Sequence, residues 1–156
     1  MNDDFDGKLI FLASVAGVVA MLLGRYAVTS HGANPWTSEG VFNALRVAPH
    51  LEKAVRLVGG KINSMWRSER VNGIVGGAEN SRHTMGLAVD IKPGGNLEEN
   101  AKAVWMAAKA GDLGRVHKVL IEPGWIHVSW KRANETDKTM THSRLVGPGW
   151  QLIERV

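Results

Sequence analysis

The chain has 156 residues, of which 44% are hydrophobic and 22% charged, a balance typical of a folded globular protein and not of a disordered one. It contains no cysteine, which excludes disulfides, thiolate metal sites and cysteine nucleophiles, so that any metal must be bound by His, Asp or Glu. The net charge is +4, and residues 1–28 hold three Asp against two basic residues. The other basic residues are scattered, without interleaved aromatics, and we expect no nucleic-acid binding.

The first predicted element is an uncharged apolar run from Leu9 to Leu23. It is flanked by Lys8 and Arg25. The distance between these two residues is shorter than the about 20 residues that a transmembrane helix usually needs, but both long cationic side chains can extend to the membrane surface. We expect residues 1–28 to be an N-terminal hydrophobic helix that anchors the chain in a membrane, with its orientation open. A cleaved signal peptide or a buried helix are the alternatives, but acidic residues precede Lys8 where a signal peptide would be basic.

Residues 29–36 are rich in turn-forming residues and are predicted to be a linker, which leaves 37–156 as one domain. Within that domain, the pattern from Val41 to Val58 predicts one or two helices. Pro49 should break or restart the helix there. The expected apolar face consists of Phe42, Leu45, Leu51, Val55 and Val58.

A short strand is predicted at Lys61–Trp66 and a second at Leu87–Ile91. In the second, Asp90 would be fixed at the C-terminal end of the strand, while His83 would lie on the loop that leads into it. One imidazole and one carboxylate can be presented to a single metal ion in this way.

A helix is predicted to start at the cap residue Asn96 and to run to about Lys109, with Trp105 in its buried stripe. The segments Arg115–Glu122 and Trp125–Trp130 alternate as strands around a Pro-Gly turn, which predicts a hairpin.

His127 lies on the second strand of that hairpin, on the same face as Trp125 and Ser129. Together with His83 and Asp90 it would complete a set of two histidines and one carboxylate. Three protein ligands with a fourth position left for water are typical of catalytic zinc. The alternative for His127 is a hydrogen-bonded core histidine.

These segments also carry a family resemblance. The pattern S-x-H-x-x-G-x-A-x-D at Ser81–Asp90, the run W-I-H-V at Trp125–Val128 and R-S-x-x-V-N at Arg67–Asn72 resemble the M15 group of zinc peptidases. These are D-alanyl-D-alanine carboxypeptidases and endolysin relatives that cut the peptide part of the bacterial cell wall. The resemblance covers about residues 41–130.

The resemblance implies that His83, Asp90 and His127 bind Zn²⁺ and that the substrates are peptidoglycan stem peptides. It also implies an α+β fold with an antiparallel sheet and helices packed on it, like that of DD-peptidases and hedgehog-type domains. The order of the predicted segments leads to the same fold class.

Three further residues are candidates for the site. By resemblance, Arg67 would face the substrate and bind its carboxylate or the oxyanion. Ser81 would support a ligand or the substrate by hydrogen bonding. Glu122 is the candidate general base. Several M15 enzymes have a glutamate three residues before the last histidine, where this chain has Gly124, and other branches have a histidine two residues before it, where this chain has Trp125.

The rest of the chain has less specific signals. Residues 131–138 are predicted to be a charged loop, and two closing strands are expected at Thr139–Val146 and Trp150–Val156. His117 is expected to be exposed, although a supporting role beside the metal is an alternative. The other histidines have no motif context and are expected at the surface; they are His31, His50 and His142.

These observations predict a membrane-tethered zinc peptidase that acts on peptidoglycan at the cell wall or in a virion. Small chains of this kind resemble phage lysis or entry enzymes. Secretion after signal cleavage is the alternative location. The alternative function is a non-catalytic wall-binding or virion structural module that retains zinc as a structural element. The bond that is cut and the oligomeric state do not follow from the sequence.

Overall fold

The computed structural model describes residues 28–29, 32–33, 37–146 and 149–156. The predicted anchor, Leu9–Leu23, and His31 lie outside these residues. None of the helices in the described part of the chain combines the length and the apolar content needed to span a bilayer.

The described elements are three α-helices, one 3-10 helix and eight strands. The helices are α1 (Ser38–Leu57), α2 (Glu69–Ile74) and α3 (Leu97–Lys109), and the 3-10 helix is Arg82–Met85. The strands are β1 (Val28–Thr29), β2 (Gly32–Ala33), β3 (Lys61–Ser64), β4 (Ala88–Lys92), β5 (Val116–Glu122), β6 (Trp125–Trp130), β7 (Thr141–Val146) and β8 (Gly149–Arg155).

Six of the strands form one sheet in the order β3-β4-β6-β5-β7-β8, while β1 and β2 pair separately. All neighbours in the large sheet are antiparallel except β5 and β7, which are parallel. The parallel pair arises because residues 131–140 carry the chain from β6 past β5 to its far side. The predicted α+β class with a largely antiparallel sheet is therefore confirmed, as are the β5–β6 hairpin and the two closing strands.

Helix α1 is a single helix that contains Pro49, so the predicted break is absent. Its N-terminus is capped by the Thr37 hydroxyl, which accepts a hydrogen bond from the Gly40 N–H at 3.0 Å. The expected apolar face was partly wrong, because Phe42 is 64% and Leu45 47% exposed. The helix instead turns Asn43 inward, where its side-chain amide donates to the Met85 carbonyl at 3.0 Å. The residues that α1 buries are Gly40, Asn43, Ala44, Val47, Leu51 and Ala54.

The hydrophobic core lies between α1, α3 and one face of the large sheet. Asn96 caps α3 by accepting hydrogen bonds from the N–H groups of Glu98 and Glu99, as predicted. Trp105 is 2% exposed, which confirms its core position. The strand residues that face these helices are apolar; they are Val89, Ile91, Val119, Ile121, Ile126, Val128 and Trp130.

Two of the histidines expected at the surface lie elsewhere. His142 is only 5% exposed, and its ring lies 5.3 Å from the ring of Trp105. Since strand side chains alternate, His142 lies on the helix-covered face and Ser143 on the other. His50 is half-buried against Gly114. Histidine occurs both at surfaces and in cores, so the residue type alone does not predict burial. His142 is buried because the alternation of side chains along β7 places it on the helix-covered face.

Candidate functional site

Asp90 and His127 are brought together by strand register. Strands β4 and β6 are antiparallel, and Asp90 is the direct partner of His127 across them. Directly opposed residues point to the same face, with Cβ atoms roughly 4.5–5.5 Å apart. Asp90 is the middle residue of β4, and not at the C-terminal end as expected, because the strand continues to Lys92.

His83 reaches the same point from the 3-10 helix that precedes β4. The Ser81 hydroxyl caps this helix and accepts a hydrogen bond from the His83 N–H at 3.3 Å. Gly86 ends it with φ +68°, and a Cβ there would lie 2.3 Å from the Gly40 carbonyl oxygen. Only glycine fits both the backbone angle and this close approach to α1. Ser81 thus acts on the backbone of His83, which holds the imidazole in place.

The three side chains form a small triangle of potential metal-binding atoms. Nε2 of His83 lies 3.2 Å from Oδ1 of Asp90 and 3.2 Å from Nδ1 of His127, and the last two atoms are 2.9 Å apart. Tetrahedral zinc ligands at about 2.0–2.1 Å from the metal lie about 3.3–3.4 Å from one another. The triangle is therefore close to the size of one face of a zinc tetrahedron.

The protonation of His83 suits a metal ligand. Its Nδ1 donates a hydrogen bond to the Met65 carbonyl, and because a carbonyl can only accept, the proton resides on Nδ1. Nε2 therefore presents a lone pair to the Asp90 carboxylate and to His127. A hydrogen-bonded second nitrogen of this kind commonly fixes the orientation of metal-binding histidines. Lone pairs converging on one point fit a bound cation.

Arg67 is held against Asp90 and does not reach freely into solvent. Its Nη2 donates to Oδ2 of Asp90 at 2.6 Å, and its Nε donates to the Ser64 hydroxyl at 3.0 Å. Its backbone N–H also donates to the His83 carbonyl at 3.3 Å. Arg67 therefore orients the carboxylate oxygen that lies away from the triangle. It also lines the cleft described next, as its predicted role beside a substrate requires.

Burial and charge leave these groups in the protonation states that metal ligands need. Burial opposes ionisation of Asp90, but the hydrogen bond from His127 and the close approach of His83 outweigh it, and the pKa of the carboxyl lies well below its ordinary value. Burial lowers the pKa of His127 even though Asp90 opposes this. An ionised carboxylate therefore faces a neutral imidazole at neutral pH.

The triangle lies in an open cleft of about 1070 Å³. Glu122 lines the same cleft at the end of β5, where it pairs with Trp125, while Leu120 pairs with His127. Glu122 is two residues beyond Leu120, the partner of His127, along β5. It therefore lies on the same sheet face as His127. Burial raises the pKa of Glu122, His127 and Arg67 lower it, and Asp90 raises it, so its charge is coupled to the triangle.

His117 also lines the cleft, which the sequence reasoning missed. The expectation that it is exposed was wrong, since it is half-buried. The register of β5 against β6 shifts between Val116 and Lys118, so His117 is the extra residue of a β-bulge. The sequence holds a weak signal for this bulge, because the inward-facing Val116 and Val119 are three residues apart, whereas regular alternation would require two or four. Burial, then the Arg82 charge, lowers the pKa of His117 to about 4.

Comparison with known proteins gives one informative result. A family model described as Peptidase M15 matches residues 33–129, a range that includes the triangle, Arg67 and Glu122. No curated protein and no solved structure matches the chain.

Proposed function

The chain belongs to the M15 peptidase family, and from this premise we propose that it is a zinc-dependent peptidase that hydrolyses peptide bonds of bacterial peptidoglycan. The observation that carries the proposal is the triangle of His83, Asp90 and His127, whose spacing and protonation suit a tetrahedral divalent cation. Bound Zn²⁺ would supply Lewis acidity at the scissile carbonyl and lower the pKa of a water molecule.

The residues around the triangle transfer the proton and orient the carboxylate and the substrate. Glu122, on the same sheet face, accepts the proton of the attacking water and passes it to the leaving amine. A raised pKa makes the carboxylate a stronger base toward the proton of the water. It also means that the carboxyl loses this proton less readily to bulk water before the leaving amine accepts it. Arg67 holds the Asp90 carboxylate in place, and its remaining N–H groups are placed to donate to a substrate oxygen in the cleft.

The proposed substrates are the stem peptides of peptidoglycan. The open form of the cleft suits a peptide that is part of a larger polymer. The positive net charge of the chain would favour approach to an anionic wall. Both features support the proposal together with family membership.

Purified, zinc-loaded protein should release new amino groups from isolated peptidoglycan, and mass spectrometry of the resulting muropeptides would identify the bond that is cut. His83→Ala should lose both zinc and hydrolysis, because it removes one of three ligands. If His83→Ala retained zinc and hydrolysis together, the site assignment would be wrong.

A non-catalytic wall-binding or virion structural module that retains zinc is the second candidate. The observation that favours it is the position of Glu122, five residues before His127 and across a turn. Glu122→Gln keeps the shape of the side chain but removes the base. An enzyme that uses Glu122 should lose about 10²–10⁴-fold in kcat and keep its zinc. Wild-type protein that binds peptidoglycan and zinc without any turnover would favour the non-catalytic module.

We also propose that the apolar run Leu9–Leu23 anchors the protein in a membrane, so that the peptidase domain acts at the cell wall or in a virion. The proposal predicts that the full-length chain sediments with membranes and resists extraction by carbonate. Recovery of a shortened, freely soluble chain would instead show that the segment is a cleaved signal peptide.

A further inference from the structure

The cleft continues beyond the triangle of His83, Asp90 and His127, on the side away from Glu122. In the register of β5 and β6, Glu122 pairs with Trp125, Leu120 with His127, and Lys118 with Ser129. With a rise of about 3.3 Å per residue, Ser129 lies about 7 Å from His127 along the strand, and Trp125 lies equally far on the other side. The triangle therefore occupies the middle of the cleft, and Glu122 accounts for one end only.

The opposite end contains three buried polar atoms to which no role has been assigned. They are Nδ1 of His117, Oγ of Ser129 and Nη1 of Arg82, and none has a hydrogen-bond partner among the residues that the structure describes. All three residues line the cleft, and Ser129 is only 1% exposed. A buried polar group without a hydrogen-bond partner destabilises the fold. Three such groups in one wall indicate a ligand that completes their hydrogen bonds.

The β-bulge is what aims His117 at this point. Val116 pairs with Trp130 on the helix-covered face and Lys118 pairs with Ser129 on the cleft face. The extra residue between them breaks the regular alternation of side chains, and His117 lines the cleft as a result. Bulges are frequent beside active sites because they redirect a side chain in this way.

The charges at this end favour an anion. The second terminal nitrogen of Arg82, Nη2, is held by Glu135 at 2.9 Å, which fixes the guanidinium while Nη1 remains available. Three cations act on His117, namely Arg82, Lys118 and Lys131, and two carboxylates, Glu135 and Asp137, interact with it. His117 is neutral at pH 7 and can donate from one ring nitrogen. Arginine N–H, serine O–H and histidine N–H together form a set of donors suited to a carboxylate.

We infer that Arg82, His117 and Ser129 form a second subsite that binds a carboxylate of the substrate peptide, within about two residues of the scissile bond and on the side away from Glu122. This inference rests on the proposed peptidase function and specifies the class of peptide that the site prefers, namely one with an acidic group at that position.

The test uses two synthetic peptides that contain the bond identified in the muropeptide digest. They differ only in one group, a free carboxylate or a carboxamide, placed two residues from that bond. Zinc-loaded wild-type protein should hydrolyse the carboxylate peptide with a kcat/KM about tenfold or more above that for the carboxamide peptide, because a hydrogen bond to a charged group contributes about this factor.

Two substitutions locate the preference. Ser129→Ala removes a hydroxyl that has no partner within the described residues, so its effect on folding should be small. His117→Gln keeps a polar side chain of similar length. Each should lower the carboxylate preference about tenfold at unchanged zinc content. Arg82 is less suitable for the test because it also binds Glu135 and immediately precedes His83.

Ser143→Ala is the matched control, since Ser143 lines the same cleft but pairs with Leu120 on the other side of β5. It should leave the preference unchanged. If the wild type cuts both peptides at the same rate, the inference is overturned while the peptidase function stands. If the muropeptide digest yields no cut bond, the proposed function fails, and the same pair of groups is placed on an intact stem peptide: tighter calorimetric binding of the carboxylate peptide then supports the subsite and equal binding overturns it.

Discussion

The two faces of the six-stranded sheet are made by alternate residues of the same strands, yet they have opposite chemistry. Val89, Ile126 and Val128 are fully buried against the helices. Their neighbours along the same strands are almost as deeply buried, with Asp90 at 4% and Ser129 at 1% exposure, but they are polar and line the cleft. Burial alone therefore does not distinguish the core from the site.

The difference lies in how each face is stabilised. Burying an aliphatic side chain on the helix-covered face contributes about 1.5–3 kcal/mol to folding. On the cleft face, burial is unfavourable unless a polar group finds a partner. Asp90 accepts hydrogen bonds from Arg67 and His127, while the Ser129 hydroxyl has no partner within the described residues. We conclude that the helix-covered face provides stability and that the cleft face retains polar groups for ligands.

Ile126 and His127 test this comparison most strongly, because they are adjacent on β6 and point to opposite faces. His127→Ala should lose zinc and reduce hydrolysis to background, because it removes a ligand. Ile126→Ala should retain zinc but lower the free energy of unfolding by about 2–5 kcal/mol, because it leaves a cavity in the core. Elemental analysis and urea unfolding of the chelated proteins measure the two effects.

The control is the free energy of unfolding of chelated His127→Ala, which should change much less than that of Ile126→Ala. The opposite pattern, with zinc lost in Ile126→Ala and stability lost in His127→Ala, would mean that the functions of the two faces have been assigned the wrong way round.

The same comparison shows why some features could be predicted from the sequence. Apolar alternation and turn residues predicted the β5–β6 hairpin, and the cap at Asn96 predicted α3. The three-residue set of His83, Asp90 and His127 was identified from motifs and strand parity, and the structure brings these residues together.

The features that the sequence did not reveal depend on contacts between distant segments. The bulge at His117 is defined only by the register of β5 against β6. The inward turn of Asn43 on α1 depends on the Met85 carbonyl, 42 positions away. The pairing of Arg67 with Asp90 likewise follows from how β3 lies beside β4. Local propensity contains no information about such contacts.

The next prediction concerns Arg67, which supports the cleft face from behind the triangle. Arg67→Gln should weaken zinc binding by about 10–100-fold, because Asp90 loses the partner that orients its second oxygen. Competition with a zinc-chelating dye measures the affinity. Arg56→Gln, which removes a surface ion pair with Glu52 on α1, is the matched control and should leave zinc affinity unchanged. Equal zinc affinity of Arg67→Gln and wild type would show that Asp90 is oriented without Arg67.

The smallest expected effect is on the pH dependence of stability, which is compared for one histidine from each face in chelated protein. Burial lowers the pKa of both His117 and His142, so the unfolded chain takes up their protons first as the pH falls below about 6.5. Both histidines therefore contribute stability that is complete above that pH and is lost as the pH falls, for His117 over the range down to about pH 4. Urea unfolding between pH 7 and pH 4 should show a shallower loss of stability in His117→Gln and in His142→Gln than in wild type.

The reason for expecting the same sign on both faces is that desolvation is the largest influence on each ring. Nearby carboxylates, Glu135 for His117 and Glu154 and Glu98 for His142, oppose it only in part. If one variant kept the wild-type slope, that histidine would already be protonated or hydrated in the folded state. For His117 such a result would also mean that its wall of the cleft is open to water, whereas for His142 it would mean that the helix-covered face is less tightly closed around Trp105.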